Sequence, residues 1–231
     1  MTPNARKAPP DISLPPLTDF DADSLEVGHD YEAVLFSDCD FSGQDASDAR
    51  FLDCRIERCN VEALTLRRAR FIDSQIAEVH GASVDFTDST WRDSEMTGGR
   101  LGAINLAGAI WKDVRVKGVK LGFVNFAGAR LEDVVFEGCE IGGLDAMAAR
   151  LRSVTLVDCT VQELNVAEAT LLKVDLSGAR LKSLVGIENL RGAIISHAQM
   201  VDLAPLLAAQ LGVVVLPDVA DAPDTRERPG G

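Results

Sequence analysis

Large apolar side chains recur at every fifth position through most of this chain. In the stretch FAGARLEDVVFEGCEI, residues 126 to 141, they are Phe126, Leu131, Phe136 and Ile141. The same register continues without a slip from residue 36 to residue 181. An α-helix has 3.6 residues per turn and loses such a phase within a few turns, so the pattern excludes a helical solenoid.

A second period of twenty residues lies on top of the first. We call the large apolar residue of each five-residue unit its centre. In every fourth unit the residue two positions before the centre is small. In the unit that follows each of these, the same position is Cys54, Ser74 and Ser94 and then valine. The small residues of every fourth unit are Ala49, Ala69, Ser89, Ala109, Ala129, Ala149 and Ala169. We interpret this as a four-sided coil with one pentapeptide per side. The centre and the residue two before it point inward, and the other three positions point outward.

Units such as AGARL, SGARL, DSTWR and AEATL resemble the pentapeptide-repeat family. The resemblance covers about residues 31–187 and implies an all-β solenoid, a right-handed quadrilateral parallel β-helix. At four units per coil this predicts about seven to eight coils, each rising about 4.8 Å. Each coil would bury its core only against its neighbours.

Composition limits the partners and the compartment. The chain has 231 residues, 46% of them hydrophobic, and a formal net charge of −13. The negative charge argues against direct binding of nucleic acid or of an anionic membrane, and it favours a basic protein partner. No apolar run approaches the roughly 20 residues that cross a bilayer, and the first residues have no hydrophobic signal core, so we expect a cytoplasmic protein.

Two inward columns have distinctive side chains. Phe51, Phe71, Trp91 and Trp111 are spaced by twenty residues and predict a stack of aromatic rings in the core. The five cysteines lack CxxC spacing, so we expect reduced buried thiols and not a zinc site. Cys39 and Cys59, and again Cys139 and Cys159, are predicted to be vertical neighbours. Their separation would not forbid a disulfide, but a reducing cytoplasm favours thiols.

The outward columns contain the candidate binding residues. One column is the candidate acidic surface ladder Asp53, Asp73, Asp93, Asp113 and Asp133. It is either a solvated face balanced by the neighbouring column of Arg50, Arg70, Arg130 and Arg150, or an acidic binding stripe. A further column consists of Asp45, Asp85, Asn105, Asn125, Asp145 and Asn165. Its side chains can bond to turn backbone, so we interpret it as structural.

No catalytic constellation is visible in the sequence. His29, His80 and His197 are dispersed along the chain, and no nucleophile, phosphate-binding or metal-binding motif accompanies them. A filled solenoid without an inserted loop also offers no cleft. We therefore expect no enzymatic activity, no metal and no cofactor.

The two ends differ from the repeats. We predict a flexible proline-rich leader over residues 1–24, the β-helix over 25–187, a helix and strand cap over 188–216 and a disordered tail over 217–231. Ser196 and Gln199 predict a capping box at the start of a helix, Gly212 is a suitable C-cap, and Pro205 should divide or kink the helix. Residues 213–216 read as a strand.

This ending resembles that of the Qnr-type and MfpA-type quinolone-resistance proteins, in which a helix is followed by Leu-Gly and a short aliphatic strand. The resemblance implies a tail-to-tail homodimer that imitates DNA on DNA gyrase or another topoisomerase. The candidate dimer interface is Met200, Leu203, Leu207, Leu211, Val213, Val214, Val215 and Leu216. The alternative is a structural or interaction module that binds another protein and has no topoisomerase role.

Overall fold

The structure, a computed structural model, describes residues 12–215. Nineteen strands lie in this range and are numbered in chain order. Strands β1 to β10 are Thr18–Asp19, Asp30–Glu32, Val34–Ser37, Arg50–Leu52, Arg55–Glu57, Leu64–Thr65, Arg70–Ile72, Gln75–Ala77, His80–Asp85 and Thr90–Thr97. Strands β11 to β19 are Arg100–Asn105, Ile110–Lys117, Lys120–Asn125, Arg130–Glu137, Glu140–Asp145, Arg150–Asn165, Thr170–Leu172, Val174–Val185 and Ala193–Ile194. A 3₁₀ helix, Ile187–Asn189, and the helix α1, His197–Gln210, follow β18 and β19 respectively.

Each coil pairs in parallel with the coil that follows it. Through most of the chain every residue lies opposite the residue twenty positions later, as in the series Phe51, Phe71, Trp91, Trp111 and Leu131. Four sides of five residues account for this spacing. The chain is therefore a parallel β-solenoid, as the two sequence periods predict.

Side chains at the predicted inward positions fill the interior of the solenoid. The rings of Phe51 and Phe71 are parallel, with centroids 4.8 Å apart, and Trp91 continues the column 4.4 Å from Phe71. Alanines at the second inward position, such as Ala109 and Ala129, are fully buried. The aromatic column is thus part of the core and not a stacking surface for nucleotides.

The solenoid has about nine turns, more than the seven to eight expected, because both ends add strands outside the repeat. Strand β1 pairs Thr18 with Val34, an offset of sixteen residues, and β19 pairs Ala193 with Val174, an offset of nineteen. A search for a strict twenty-residue period cannot detect either strand.

Part of the proline-rich segment 12–24 lies against the first coils. The Phe20 ring packs 4.7 Å from Phe36 at the N-terminal end of the core, and the side-chain amide of Gln75 donates to the carbonyl of Ile12 at 3.2 Å. Residues 1–11 lie outside the described range. The segment thus closes one end of the solenoid.

Helix α1 closes the other end. The predicted capping box is present: Ser196 Oγ accepts from the N–H of Gln199, and Gln199 Oε1 accepts from the N–H of Ser196. The Gln199 amide nitrogen also donates to the carbonyls of Leu176 and Ala179, each at 2.8 Å. These carbonyls belong to the last coil, so one side chain replaces part of a missing next coil. Within residues 12–215, no helix is long and apolar enough to span a bilayer.

Two expectations for this cap, division of the helix at Pro205 and a strand over residues 213–215, are wrong. Pro205 does not divide the segment, because α1 is a single helix through that residue. The hydrogen bond that proline cannot donate would have reached the carbonyl of Val201, whose residue is 60% exposed, so water can replace it there. Val213 to Val215 form no strand, since no neighbouring strand pairs with them. Leu216 and the predicted tail 217–231 lie outside the described residues.

A buried indole identifies one place where the core can be improved. Trp91 Nε1 donates to Ser89 Oγ at 3.1 Å, whereas the buried Trp111 Nε1 on the next coil has no hydrogen-bond partner within the described structure. The residue equivalent to Ser89 is Ala109. We expect Ala109→Ser to supply the missing acceptor and to raise the free energy of unfolding by about 1 kcal/mol, measured by urea denaturation.

The matched control is Ala129→Ser, one coil further along the same column. Its neighbour in the column is Leu131, which has no donor, so the buried hydroxyl should give no gain or a loss. Equal effects of the two substitutions on stability would show that the gain does not come from a hydrogen bond to Trp111 Nε1.

Candidate interaction surface

The candidate acidic ladder lies along one outer corner of the solenoid. Its five aspartates each follow the side of the coil that holds the aromatic column, and the adjacent strands pair in register. Successive carboxylates are therefore about 4.8 Å apart along the rod. The structure brings together all five residues that the sequence analysis selected.

The backbone conformation at this corner makes aspartate suitable. All five aspartates have φ between 46° and 55°, in the left-handed region. Besides glycine, Asp and Asn adopt this conformation at the lowest cost. At two other corners of the central coils the same conformation is supplied by glycine, namely Gly98, Gly118 and Gly138, and Gly108 and Gly128. The turn therefore accepts aspartate but does not require its charge.

Asp73 lies at an electrostatically unfavourable place in the ladder. Burial raises the pKa of Asp73, the neighbouring carboxylates of Asp93 and Asp53 raise it further, and Arg92 lowers it by less. At another corner, the Arg68 guanidinium donates to Asp48 from the next coil at 2.7 Å and lowers the pKa of that carboxyl group. Aspartates at two corners with the same backbone conformation thus have opposite electrostatic surroundings.

The Asp/Asn column that runs from Asp45 to Asn165 is structural, as predicted. In each turn the side-chain oxygen accepts from the N–H two residues later; Asn125 Oδ1 accepts from the N–H of Ala127 at 2.9 Å. Adjacent coils are also linked, since the Asn125 amide donates to Asn105 Oδ1 at 3.0 Å. These side chains are engaged in the fold and are not available as a binding stripe.

Charge along the rod changes sign, a feature that the sequence analysis missed. Residues 30–99 contain 15 acidic and 7 basic residues, residues 100–131 contain 1 and 6, and residues 132–187 contain 9 and 5. We call the six basic residues of the middle segment the basic belt: Arg100, Lys112, Arg115, Lys117, Lys120 and Arg130. A count of charged residues over windows of about one coil reveals the belt. A count over halves of the repeat region hides it, because the belt is averaged with the acidic segment that follows.

The C-terminal segment exposes most of its apolar side chains. Of the candidate interface residues, Leu203 is buried against its own chain and Leu207 is half-buried. The exposed residues include Met200, Leu211, Val213, Val214 and Val215, and Val214 is 82% exposed. Helix α1 therefore covers the end of the solenoid with one part of its surface and leaves an apolar surface on the outside.

The cysteines lie where the twenty-residue period places them, and all five are free thiols. Burial raises the pKa of Cys54 to about 11 and is the main cause that raises the pKa of Cys59 to about 12. Thiols with such pKa values are poor nucleophiles at neutral pH. Among residues 12–215, no three His, Cys, Asp or Glu residues are placed to hold a metal ion.

Asp73 provides a test of the cost of the acidic ladder. A carboxyl group whose pKa is raised in the folded state destabilises the fold as pH rises through that pKa, and the penalty disappears below about pH 4, where both states are protonated. Asn keeps the turn conformation and removes the charge. We therefore expect Asp73→Asn to raise the free energy of unfolding by about 0.5 kcal/mol at pH 7, and to have no effect at low pH.

Asp48→Asn is the matched control, because Asp48 has the same backbone conformation and an arginine partner. It should give no gain or a small loss at pH 7. Urea denaturation of both variants at neutral and acidic pH makes the comparison. A loss of stability in Asp73→Asn at pH 7 would show that the ladder stabilises the fold.

Comparison with known proteins supports the repeat assignment. Residues 30–106 match the family described as "Pentapeptide repeat region". No curated protein matches the sequence. Among solved structures, QnrB1, a plasmid-mediated fluoroquinolone resistance protein, is 19% identical; the match covers 82% of this chain and 97% of that one, with a TM-score of 0.46.

HetL, a pentapeptide-repeat protein involved in heterocyst differentiation regulation in the cyanobacterium Nostoc sp. strain PCC 7120, is 17% identical. That match covers 73% of this chain and 90% of HetL, with a TM-score of 0.31. Such weak likenesses carry no argument about activity. The family match over residues 30–106 shows pentapeptide repeats in that part of the chain, and the twenty-residue pairing continues beyond it through β16.

Proposed function

We propose that this protein acts by binding another protein through its acidic outer surface, without catalysing a reaction. The acidic ladder and the other carboxylates of residues 30–99 form this surface, which has 15 acidic and 7 basic residues. A partner with a basic groove complements it. The interior of the solenoid is filled by side chains, so recognition takes place on the outer faces.

One observation carries the proposal: the ladder keeps five charges where the backbone does not need them. Glycine satisfies the same conformation at two other corners of the central coils. The pKa of Asp73 is raised by burial and by its neighbours, so the charge of this member of the ladder opposes folding at neutral pH. A line of charges that the turn does not require, and that has a cost at Asp73, is best explained by a role in binding.

DNA gyrase or another topoisomerase is the partner that we propose. The ladder presents one negative charge about every 4.8 Å in a straight line, and a single DNA strand presents one about every 3.4 Å along its axis. A rod with such a line of charge can occupy a groove built for duplex DNA. The resemblance of Leu211, Gly212 and the valines that follow to the quinolone-resistance proteins supports the same choice.

Dimerisation through the C-terminal segment is part of this proposal. The exposed surface of α1 and residues 213–215 is apolar and lies at one end of the rod. Exposed apolar surface of this kind is typical of a protein interface. A two-fold axis at this end would join two rods tail to tail and double the length of the charged surface.

A second candidate is an interaction module for a protein other than a topoisomerase. The basic belt favours it, because duplex DNA has no positive segment to imitate. The acidic surface would then recognise a shorter basic surface, confined to the length of residues 30–99.

The two candidates are distinguished by a supercoiling assay with purified gyrase across a salt series. We expect the unaltered protein to change gyrase activity at low salt and to lose the effect as salt screens the charges. The double variant Leu207→Glu and Val214→Glu should be a monomer by light scattering and should have a reduced effect. Asp93→Asn with Asp113→Asn should weaken the effect without altering the mass.

No effect on gyrase at low salt would favour the second candidate. A protein that is already monomeric at micromolar concentration would overturn the tail-to-tail dimer. An effect on gyrase that does not depend on salt would contradict DNA mimicry, whatever the oligomeric state.

A further inference from the structure

The basic belt is a local reversal of charge on an otherwise acidic rod. Residues 100–131 contain six basic residues and one acidic residue, and acidic residues predominate in the segments on both sides. Five of the six basic side chains are exposed, and Arg115 is half-buried. A belt of this kind attracts anions locally even though the whole chain has a net charge of −13.

Two cations of the belt lie next to each other on the side of the coil that contains Leu101 and Leu121, and a third, Lys117, is paired with Glu137 at 3.7 Å. Arg100 and Lys120 face each other in register on adjacent coils, and Lys117 lies just across the corner formed by Gly118. The repulsion between Arg100 and Lys120, about 5 Å apart, is only partly relieved. Lys120 Nζ lies 3.2 Å from Glu140 Oε1, whereas within residues 12–215 no carboxylate lies within 4 Å of the Arg100 guanidinium.

A groove of about 410 Å³ runs beside these cations. Its floor is the backbone of Gly102, Gly122 and Gly142, and its far end is polar, with Thr160 and Gln162. A Cβ atom at Gly122 would lie 2.3 Å from the carbonyl oxygen of Gly102, so tight stacking of the coils keeps the floor bare. The floor residues lie in strands that pair with the adjacent coils, so their backbone groups serve the fold. Charged side chains on the rim must therefore recognise the ligand.

We propose that this surface binds an extended acidic segment of a partner protein. The groove spans three coil spacings, about 14 Å, which matches about four residues of extended chain. Acidic side chains at one end of the segment would pair with Arg100 and Lys120, and a polar or basic end would lie near Glu140. The Phe123 side chain, 47% exposed, adds an apolar contact next to the floor.

The length of the belt favours a peptide over nucleic acid. A nucleic acid strand that follows the rod would leave the belt within one or two coils and meet the acidic segments on either side. A short segment can keep its acidic end within the belt and place its other end beside Glu140. This surface lies on the side of the coil that carries the glycine floor and not at the corner of the acidic ladder, so the inference goes beyond the proposed function and does not depend on gyrase.

The test uses fluorescence anisotropy with a fluorescein-labelled hexapeptide of three glutamates followed by three glutamines, and the full chain at about 50 mM salt. We expect binding that weakens as salt is added. Arg100→Gln with Lys120→Gln should reduce the affinity about fivefold, as expected for the loss of two exposed charge pairs. The control Arg70→Gln with Arg150→Gln changes the net charge equally at two exposed sites outside the belt, and it should leave the affinity unchanged.

Three results would overturn the proposal. The first is no binding of the peptide by the unaltered protein. The second is an equal loss in both double variants, which would show a general charge effect. The third is tighter binding of a labelled oligothymidine that depends on Arg100 and Lys120, which would assign the surface to nucleic acid. Circular dichroism of each variant verifies that the solenoid is intact.

Discussion

The parallel hydrogen bonds between successive coils are the interaction on which the rest of this structure depends. Each coil has backbone groups that only the coils before and after it can satisfy, so no coil is stable alone. Both ends must therefore be closed. Phe20 covers the aromatic core at one end, and at the other end Gln199 donates to two carbonyls of the last coil.

This arrangement separates the requirements of folding from those of binding. Two of every five residues fill the core, and the other three are outside. Turn conformation restricts some outer positions, where glycine fits best and aspartate at a small cost, and tight stacking restricts others, such as Gly122. At the remaining positions charge can change from one coil to the next. The acidic ladder and the basic belt can thus occupy different sides of one rod without disturbing a common core.

The regular part of the fold could be predicted from sequence because its period is visible in the residues themselves. The aromatic column and the capping box at Ser196 followed directly. The end strands could not be predicted, since Thr18 and Ala193 pair at offsets other than twenty. The sequence also could not show that the ladder aspartates have a left-handed backbone conformation, because Ala33, Ser153 and Lys173 have the same conformation in the same column and are not typical of it. The continuous helix through Pro205 depends on local exposure, which the sequence does not contain.

Removal of a whole coil tests the central claim, that coils stack at a spacing of twenty residues, most directly. Deletion of residues 131–150 joins Arg130 to Leu151 and keeps every later residue in phase with the coil before it. We expect this shorter protein to retain the circular dichroism of β structure and to melt cooperatively. Deletion of residues 131–148 leaves a side two residues too long for its place in the coil and should abolish cooperative melting or cause aggregation. If the two deletions melt alike, the twenty-residue stacking does not control the fold.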